Sequence, residues 1–167
     1  MLTGLITKRT LLYTEMYPVD TVLAAARRSP AHLQALLGFD ASQRPLALQL
    51  GGRDPVAMAE AARACAALGF DEININVGCP SETVSVCNCY GAALMKEPAL
   101  VQQLAAAVRG AVPPTTAVTV KHRLGVDEHD SWEQLREFVA VVSAPPASVR
   151  HFVVHARKAI LGASHTQ

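Results

Sequence analysis

Glu72-Ile73-Asn74-Ile75-Asn76-Val77-Gly78-Cys79-Pro80-Ser81 decides how the rest of the chain is read. Successive side chains of a β-strand point to opposite faces. A strand over Glu72–Val77 therefore puts Ile73, Ile75 and Val77 on one face and Asn74 and Asn76 on the other. The first face suits packing under helices, and the second turns amides toward something polar. Cys79 follows just past the C-terminal end of this strand.

The same division recurs on either side. In Leu46–Leu50, the leucines at 46, 48 and 50 oppose Ala47 and Gln49. In Ala117–Arg123, Val118 and Val120 oppose Thr119, Lys121 and Arg123. Around a fifth run, Val149–Ala156, the alternation over His151–Arg157 sets Phe152, Val154 and Ala156 against Val153, His155 and Arg157. A first run, Leu11–Met16, precedes them. Between the runs lie helical stretches near Asp20–Arg28, Asp54–Leu68, Pro98–Val112 and Ser131–Val142, with a long loop expected between Val77 and Pro98. Strands spaced by helices of this length predict βαβ units and a parallel sheet. Asp54-Pro55 reads as an N-cap with proline in the first turn. Ser131 with Gln134 three residues on is a capping-box pattern, and Gly69 supplies the positive φ that a helix C-terminus favours.

An open doubly wound sheet carries helices on both faces, so polar groups recurring on one face favour a (β/α) barrel, whose active site gathers at the C-terminal ends of its strands. The predicted fold class is α/β: a partial (β/α)8 barrel of about five parallel strands. The convergent set is Gln49, Asn76, Lys121 and His155, at equivalent depth on successive strands, with Cys79 beside them. One strand-end amide or histidine is commonly a satisfied structural residue. Four on successive strands point to a shared site.

Composition sets the bounds. The chain has 167 residues, half of them hydrophobic, 17% charged and 5% aromatic. That is enough for one domain with a core of Ala, Leu and Val. The net charge of +1 excludes histone-like nucleic-acid binding but leaves room for a local basic site. No apolar run reaches the roughly 18 residues of a membrane span, and Met1–Thr10 lacks the pattern of a secretory signal. Four cysteines without such a signal suggest a reducing compartment, and a cytoplasmic location is expected, with an organelle left open. Cys65 lies in an Ala-rich helix and reads as core. Cys87-x-Cys89 is too tightly spaced, and His151-x3-His155 too strand-like, for the usual zinc patterns, so no metal is expected.

Six ordered blocks carry a resemblance: Leu12-Tyr13-Thr14-Glu15-Met16; Leu48-Gln49-Leu50-Gly51-Gly52; Asp71 through Ser81; Tyr90-Gly91-Ala92-Ala93-Leu94-Met95; Val120-Lys121-His122-Arg123-Leu124-Gly125-Val126-Asp127; and His155-Ala156-Arg157-Lys158-Ala159. With them the chain resembles the tRNA-dihydrouridine synthases, most closely the A-type group with plant and cyanobacterial members. The resemblance implies an FMN-dependent barrel, reduced by NADPH, that saturates the C5–C6 bond of a uridine in tRNA. It makes Cys79 the proton donor to C5, and places Gln49, Lys121 and His155 against FMN. Asn76 then positions the flavin and the target base, and Arg157 is a further candidate for the same pocket. No membrane and no protein partner is implied.

These residue types suit the task. A thiol ordinarily carries its proton at neutral pH. Lysine can hold the negative charge of a reduced flavin, and an amide both donates and accepts. Gly51, Gly52 and Gly78 are expected to clear space for a flat ring. Asn88 stands where relatives often have glycine and is expected to supply a left-handed residue. Against a whole barrel, residues 1–167 read as one partial FMN-binding domain without the first, seventh and eighth strands or the helical tRNA-binding domain. Two other readings stay open. One is an FMN barrel acting on a free pyrimidine or an enoate, which shares part of the Asn-x-Gly-Cys-Pro block. The other is a non-catalytic remnant.

Overall fold

Five parallel strands form one sheet in the order in which they occur: β1 (Leu12–Pro18), β2 (Leu46–Gly51), β3 (Glu72–Val77), β4 (Ala117–Arg123) and β5 (Phe152–His155). The structure is a computed structural model that describes residue 7 and residues 9–162. The stretch read above for a leader, Met1–Thr10, falls mostly outside them. Helices α1 (Val19–Arg28), α2 (Pro30–Leu37), α3 (Pro55–Ala66), α4 (Pro98–Ala111) and α5 (Trp132–Ser143) connect the strands. Strictly sequential parallel order is the order of a barrel wall; a doubly wound sheet reverses at a switch point. The fold is therefore a partial (β/α) barrel.

The core follows from the alternation. Leu48, Leu50, Ile73, Ile75, Val77 and Val120 are fully buried on the helix-facing side of the sheet. Met58, Ala61, Ala62 and Cys65 meet them from α3, and Val101, Leu104, Ala105 and Val108 from α4. Alanine-rich faces let these helices sit close to the sheet. Burial pushes the Cys65 thiol up to about 12, as expected of a core cysteine.

The caps lie where the sequence puts them. Asp54 accepts from the N–H groups of Val56 and Ala57 at 2.7 and 3.2 Å. Ser131 and Gln134 form both bonds of the capping box, at 3.2 and 2.9 Å. Gly69 has φ +84°.

The first βα connection holds two helices rather than the one expected. Proline disfavours helical conformation in the residue before it, so Ser29 is extended and α1 ends. Its side chain then accepts from His32 N at 3.3 Å and starts α2. The fifth strand is shorter than Val149–Ala156: Ser148 has φ 52°, and pairing with β4 is confined to Phe152–His155. The long loop after β3 is also ordered, into a π-helical turn (Glu82–Cys87) and a 3₁₀ turn (Gly91–Lys96).

His122 lies on the helix-facing side, with its ring 5.1 Å from Phe138 and 5.7 Å from Phe152. Its Nδ1 donates to the Arg123 carbonyl at 2.6 Å, and its buried Nε2 has no partner among the described residues. It lines an apolar groove of about 680 Å³ between α5 and the β4–β5 edge, where Trp132 is 66% exposed. This groove is on the opposite face from Lys121. Among the described residues, no helix is long and apolar enough to cross a membrane.

Burial holds the His122 imidazole below the ordinary histidine range, partly offset by the bond to Arg123 and reinforced by Lys121. The unfolded chain therefore takes up this proton first. The stability that neutral His122 provides is present above about pH 6.5 and lost as pH falls through its folded-state value. Urea midpoints should fall between pH 7 and pH 5, and His122→Leu should flatten part of that fall.

Candidate active site

The sheet's other face is a continuous row of hydrogen bonds. At the N-terminal end, Tyr13 and Thr119 both donate to Glu72 Oε1, at 2.8 and 2.5 Å. Burial and the Glu72 carboxylate push the Tyr13 phenol up to about 12. Asn74 Nδ2 donates to Thr119 Oγ1 at 2.7 Å, and Gln49 Nε2 donates to Asn74 Oδ1 at 2.8 Å. Asn76 Nδ2 then donates to Gln49 Oε1 at 2.7 Å. Gln49, Asn74 and Asn76 are all buried, and each buried amide is paired, as burial requires. At Gln49 the β1–β2 register shifts, and the Gln49 N–H is satisfied by Thr14 Oγ1 at 3.1 Å.

The ladder does not set the four expected groups level. Gln49 is level with Asn74, Asn76 with Lys121, and His155 with Arg123. The set thus climbs two residues from β2 to β3, none to β4 and two to β5. Tilted strands in a barrel of shear eight shift by about one residue per strand. A climb of this size keeps the four near a common height along the barrel axis.

Cys79 is fixed through its backbone. Asn76 Oδ1 accepts from the N–H groups of Gly78 and Cys79 at 3.1 and 3.0 Å. The Cys79 carbonyl accepts from Ala92 N at 2.9 Å and from the Ser85 hydroxyl, which also bonds Tyr90 O at 3.0 Å. Arg123 Nε holds the Gly78 carbonyl at 3.0 Å. The half-buried thiol donates to Ser81 Oγ at 3.5 Å. Gly91 completes the seat: its φ is +64°, and a Cβ there would lie 2.6 Å from Cys79 O.

Two glycine expectations change. The space at Gly51 is taken by Met16 and Tyr90, each 2.7 Å from a built Cβ, and the space at Gly52 by Val19. Their small size serves packing within the chain. Gly78 meets His122 backbone at ordinary contact, 3.5 Å. The left-handed residue in the following turn is Cys89, φ 53°, while Asn88 has φ −106°.

Lys121 is half-buried beside Asn76's level, and His155 is exposed at the end of β5. Arg123, then loss of hydration, then Lys121 and Arg157 hold the His155 imidazole below its ordinary range. Burial, followed by Coulombic repulsion from Cys79 and Asp20, raises the Tyr90 phenol. Asn74, Ser85, Tyr90 and Arg123 were not singled out from the sequence. Asn74 and Arg123 were visible on the polar face, whereas the roles of Ser85 and Tyr90 depend on how the π-helical turn folds back. Among the described residues, no three His, Cys, Asp or Glu side chains gather as metal ligands.

This polar mouth at the strand C-termini, with a seated cysteine at its rim, is the arrangement of a (β/α)-barrel enzyme. A family model described as Dihydrouridine synthase (Dus) matches residues 2–167, and the chain belongs to that family. A tRNA-dihydrouridine(20/20a) synthase of Synechocystis sp. is 48% identical over 156 residues, 93% of this chain and 43% of that protein. One of Pseudomonas putida is 48% identical over 157 residues, 94% of this chain and 44% of that protein. One of Vibrio parahaemolyticus is 43% identical over 157 residues, 94% and 45% of the two chains. The chain spans less than half the length of these curated relatives.

Asn76→Ala leaves the Gly78 and Cys79 N–H groups and Gln49 Oε1 without partners. At the ordinary cost of an unsatisfied buried group, it should destabilise the fold by about 1–3 kcal/mol in urea unfolding. Gly91→Ala should also destabilise the fold, because φ and contact both oppose a Cβ.

Proposed function

We propose that this chain forms the cofactor-facing wall of a tRNA-dihydrouridine synthase, with Cys79 as the catalytic acid. The observation that carries the reading is the double grip of Asn76. One amide fixes the backbone of the cysteine through Oδ1 and, through Nδ2, joins it to Gln49 on the neighbouring strand.

The donor set fits FMN. Gln49 keeps one N–H and one lone pair beyond its two bonds, and Asn76 keeps one N–H. Lys121 has no ion-pair partner among the described residues, so its ammonium is available to an anionic ring edge. Gln49, Lys121 and His155 would hold the cofactor, and Asn76 would orient the base against it. When bound, FMN reduced by NADPH supplies hydride to C6 of a uridine. Cys79 delivers its proton to C5, and Ser81 Oγ, 3.5 Å from the sulfur, orients the thiol. Lys121 balances negative charge at the mouth. A target base in folded tRNA has to leave its stack to enter such a site, which selects for a strained or unpaired position. A cytoplasmic location, or an organelle that houses tRNA, follows from this substrate.

The test uses the chain with added FMN, NADPH and unmodified tRNA, with dihydrouridine read by mass spectrometry of nucleosides. Cys79→Ala should lower the rate by about 10²–10⁴-fold, the usual worth of a general acid, while leaving the flavin spectrum of the bound protein. Full activity in that variant would remove Cys79 from the chemistry. Reduction of free uracil but not of tRNA would favour the free-pyrimidine alternative.

A further inference from the structure

The segment that seats Cys79 also carries two thiols on its outer side. Cys87 ends the π-helical turn, Cys89 follows one residue later, and both are exposed. Asn88 between them has φ −106° and ψ −2°, the backbone of a helical turn. Two Cα steps of about 3.8 Å, bent as in a helix, put the Cα atoms of Cys87 and Cys89 about 5.5 Å apart. A disulfide bridges Cα atoms about 4.4–6.8 Å apart. The Cys89 sulfur already leans toward its neighbour: it donates to the Val86 carbonyl at 3.5 Å, and that carbonyl belongs to the peptide that opens Cys87. Among the described residues, no three His, Cys, Asp or Glu side chains gather as metal ligands, so the chemistry this pair offers is that of two thiols.

The pair is tied to the seat of the buried side. Ser85, two residues before Cys87, bonds the Cys79 and Tyr90 carbonyls. Tyr90, one residue after Cys89, donates its N–H to the Val84 carbonyl at 3.1 Å. That return bond follows a left-handed Cys89, φ 53°, whose carbonyl is held by Arg53 Nη1 at 3.2 Å. Asn88 Nδ2 donates to the Thr83 carbonyl at 2.5 Å. Both thiols thus lie between the two residues that close the seat, on the one stretch of it that faces solvent. Accessible thiols within reach of a second thiol are where disulfide exchange takes place.

We propose that Cys87 and Cys89 form a dithiol–disulfide site that exchanges with a small disulfide of the glutathione type, and that closing it loosens the seat of Cys79. The coupling rests on the hydrogen bonds of that seat and not on the reaction proposed for the thiol. Cys87, whose sulfur is not tied to a carbonyl, attacks first: its thiolate displaces one small thiolate and forms a mixed disulfide. The Cys89 thiolate then attacks the Cys87 sulfur and displaces the second. Two protein thiols are oxidised, one small disulfide is reduced to two thiols, and the two protein protons pass to the leaving thiolates. The bridge takes the Cys89 sulfur from the Val86 carbonyl, next to Ser85. A ring closed across a single residue is small, and strained or exposed disulfides are the labile ones, so excess small thiol opens it again.

The test incubates the full chain with glutathione disulfide and reads each cysteine by alkylation and peptide mass spectrometry. Cys87 and Cys89 should lose alkylation together, the chain should become lighter by two hydrogens, and reduced glutathione should restore both thiols. Cys79→Ala should bridge as the parent chain does. Loss of bridging in that variant would make Cys79 a member of the exchange and overturn the pair. A glutathione adduct that persists on Cys87 of the parent chain, with Cys89 still free, would overturn it as well.

The coupling is read from the same samples. Closing the bridge should speed alkylation of the half-buried Cys79 about fivefold, the worth of one neutral hydrogen bond. Cys87→Ser, an exposed and nearly isosteric change, should form no bridge and should keep its Cys79 rate whether or not glutathione disulfide is present. None of these readouts uses uridine reduction, so failure of the catalytic assignment would leave them as they are. A bridged chain whose Cys79 rate is unchanged would overturn the coupling. Cys87 and Cys89 that alkylate as before after glutathione disulfide would overturn the site.

Discussion

The site depends on one carboxamide. Asn76 is buried at the last inward position of β3, and its oxygen takes the N–H groups of the two residues that follow the strand. Its nitrogen reaches across to Gln49, which is bonded to Asn74 and through it to Thr119 and Glu72. The direction in which the chain leaves the sheet, and so the position of Cys79, is set by a network spanning three strands. Hydrogen bonds in such a network cost little to form and much to leave unmade. This is why an inward face carrying so many amides is compatible with a stable fold.

Much of the architecture was legible because its causes are local. The alternation in Glu72–Val77 and Ala117–Arg123 set the strands and their two faces. Asp54-Pro55 and Ser131 with Gln134 set helix starts to the residue. Ser29-Pro30 carried an equally local signal for a second helix, though it was easy to read through because the apolar pattern resumes after it. What stayed hidden depends on contacts distant in sequence. Gly51 reads as space for a ring until Met16 and Tyr90 are found filling it. The segment after Pro80 reads as loop until Ser85 bonds the Cys79 and Tyr90 carbonyls and folds it into a turn. Of the candidate site, Gln49, Asn76, Lys121 and His155 could be named from strand phase, and the role expected of Cys79 came from the resemblance of its block. The stagger that brings them to one height could not, since register is a property of pairs of strands.

The two faces of the sheet divide the labour. On the helix side, His122 sits between Phe138 and Phe152, where burial disfavours its charged form. One position along, Lys121 and Arg123 turn positive charge toward the mouth, which disfavours the charged form of the neighbouring His155 imidazole. A period of two along β4 thus separates a packing role from an electrostatic one, and a one-residue slip would exchange them. The chain is nearly neutral overall, so this local excess of positive charge comes from placement and not from composition.

The most direct test of the central claim, a thiol seated beside the cofactor face by Asn76, is the alkylation rate of each cysteine with and without bound FMN, read by peptide mass spectrometry. Cys87 and Cys89 are exposed and Cys65 is buried, so the chain carries its own controls. FMN should protect Cys79 while Cys87 and Cys89 react as before. A flavin-bound chain in which Cys79 alkylates as fast as it does without flavin would contradict the account.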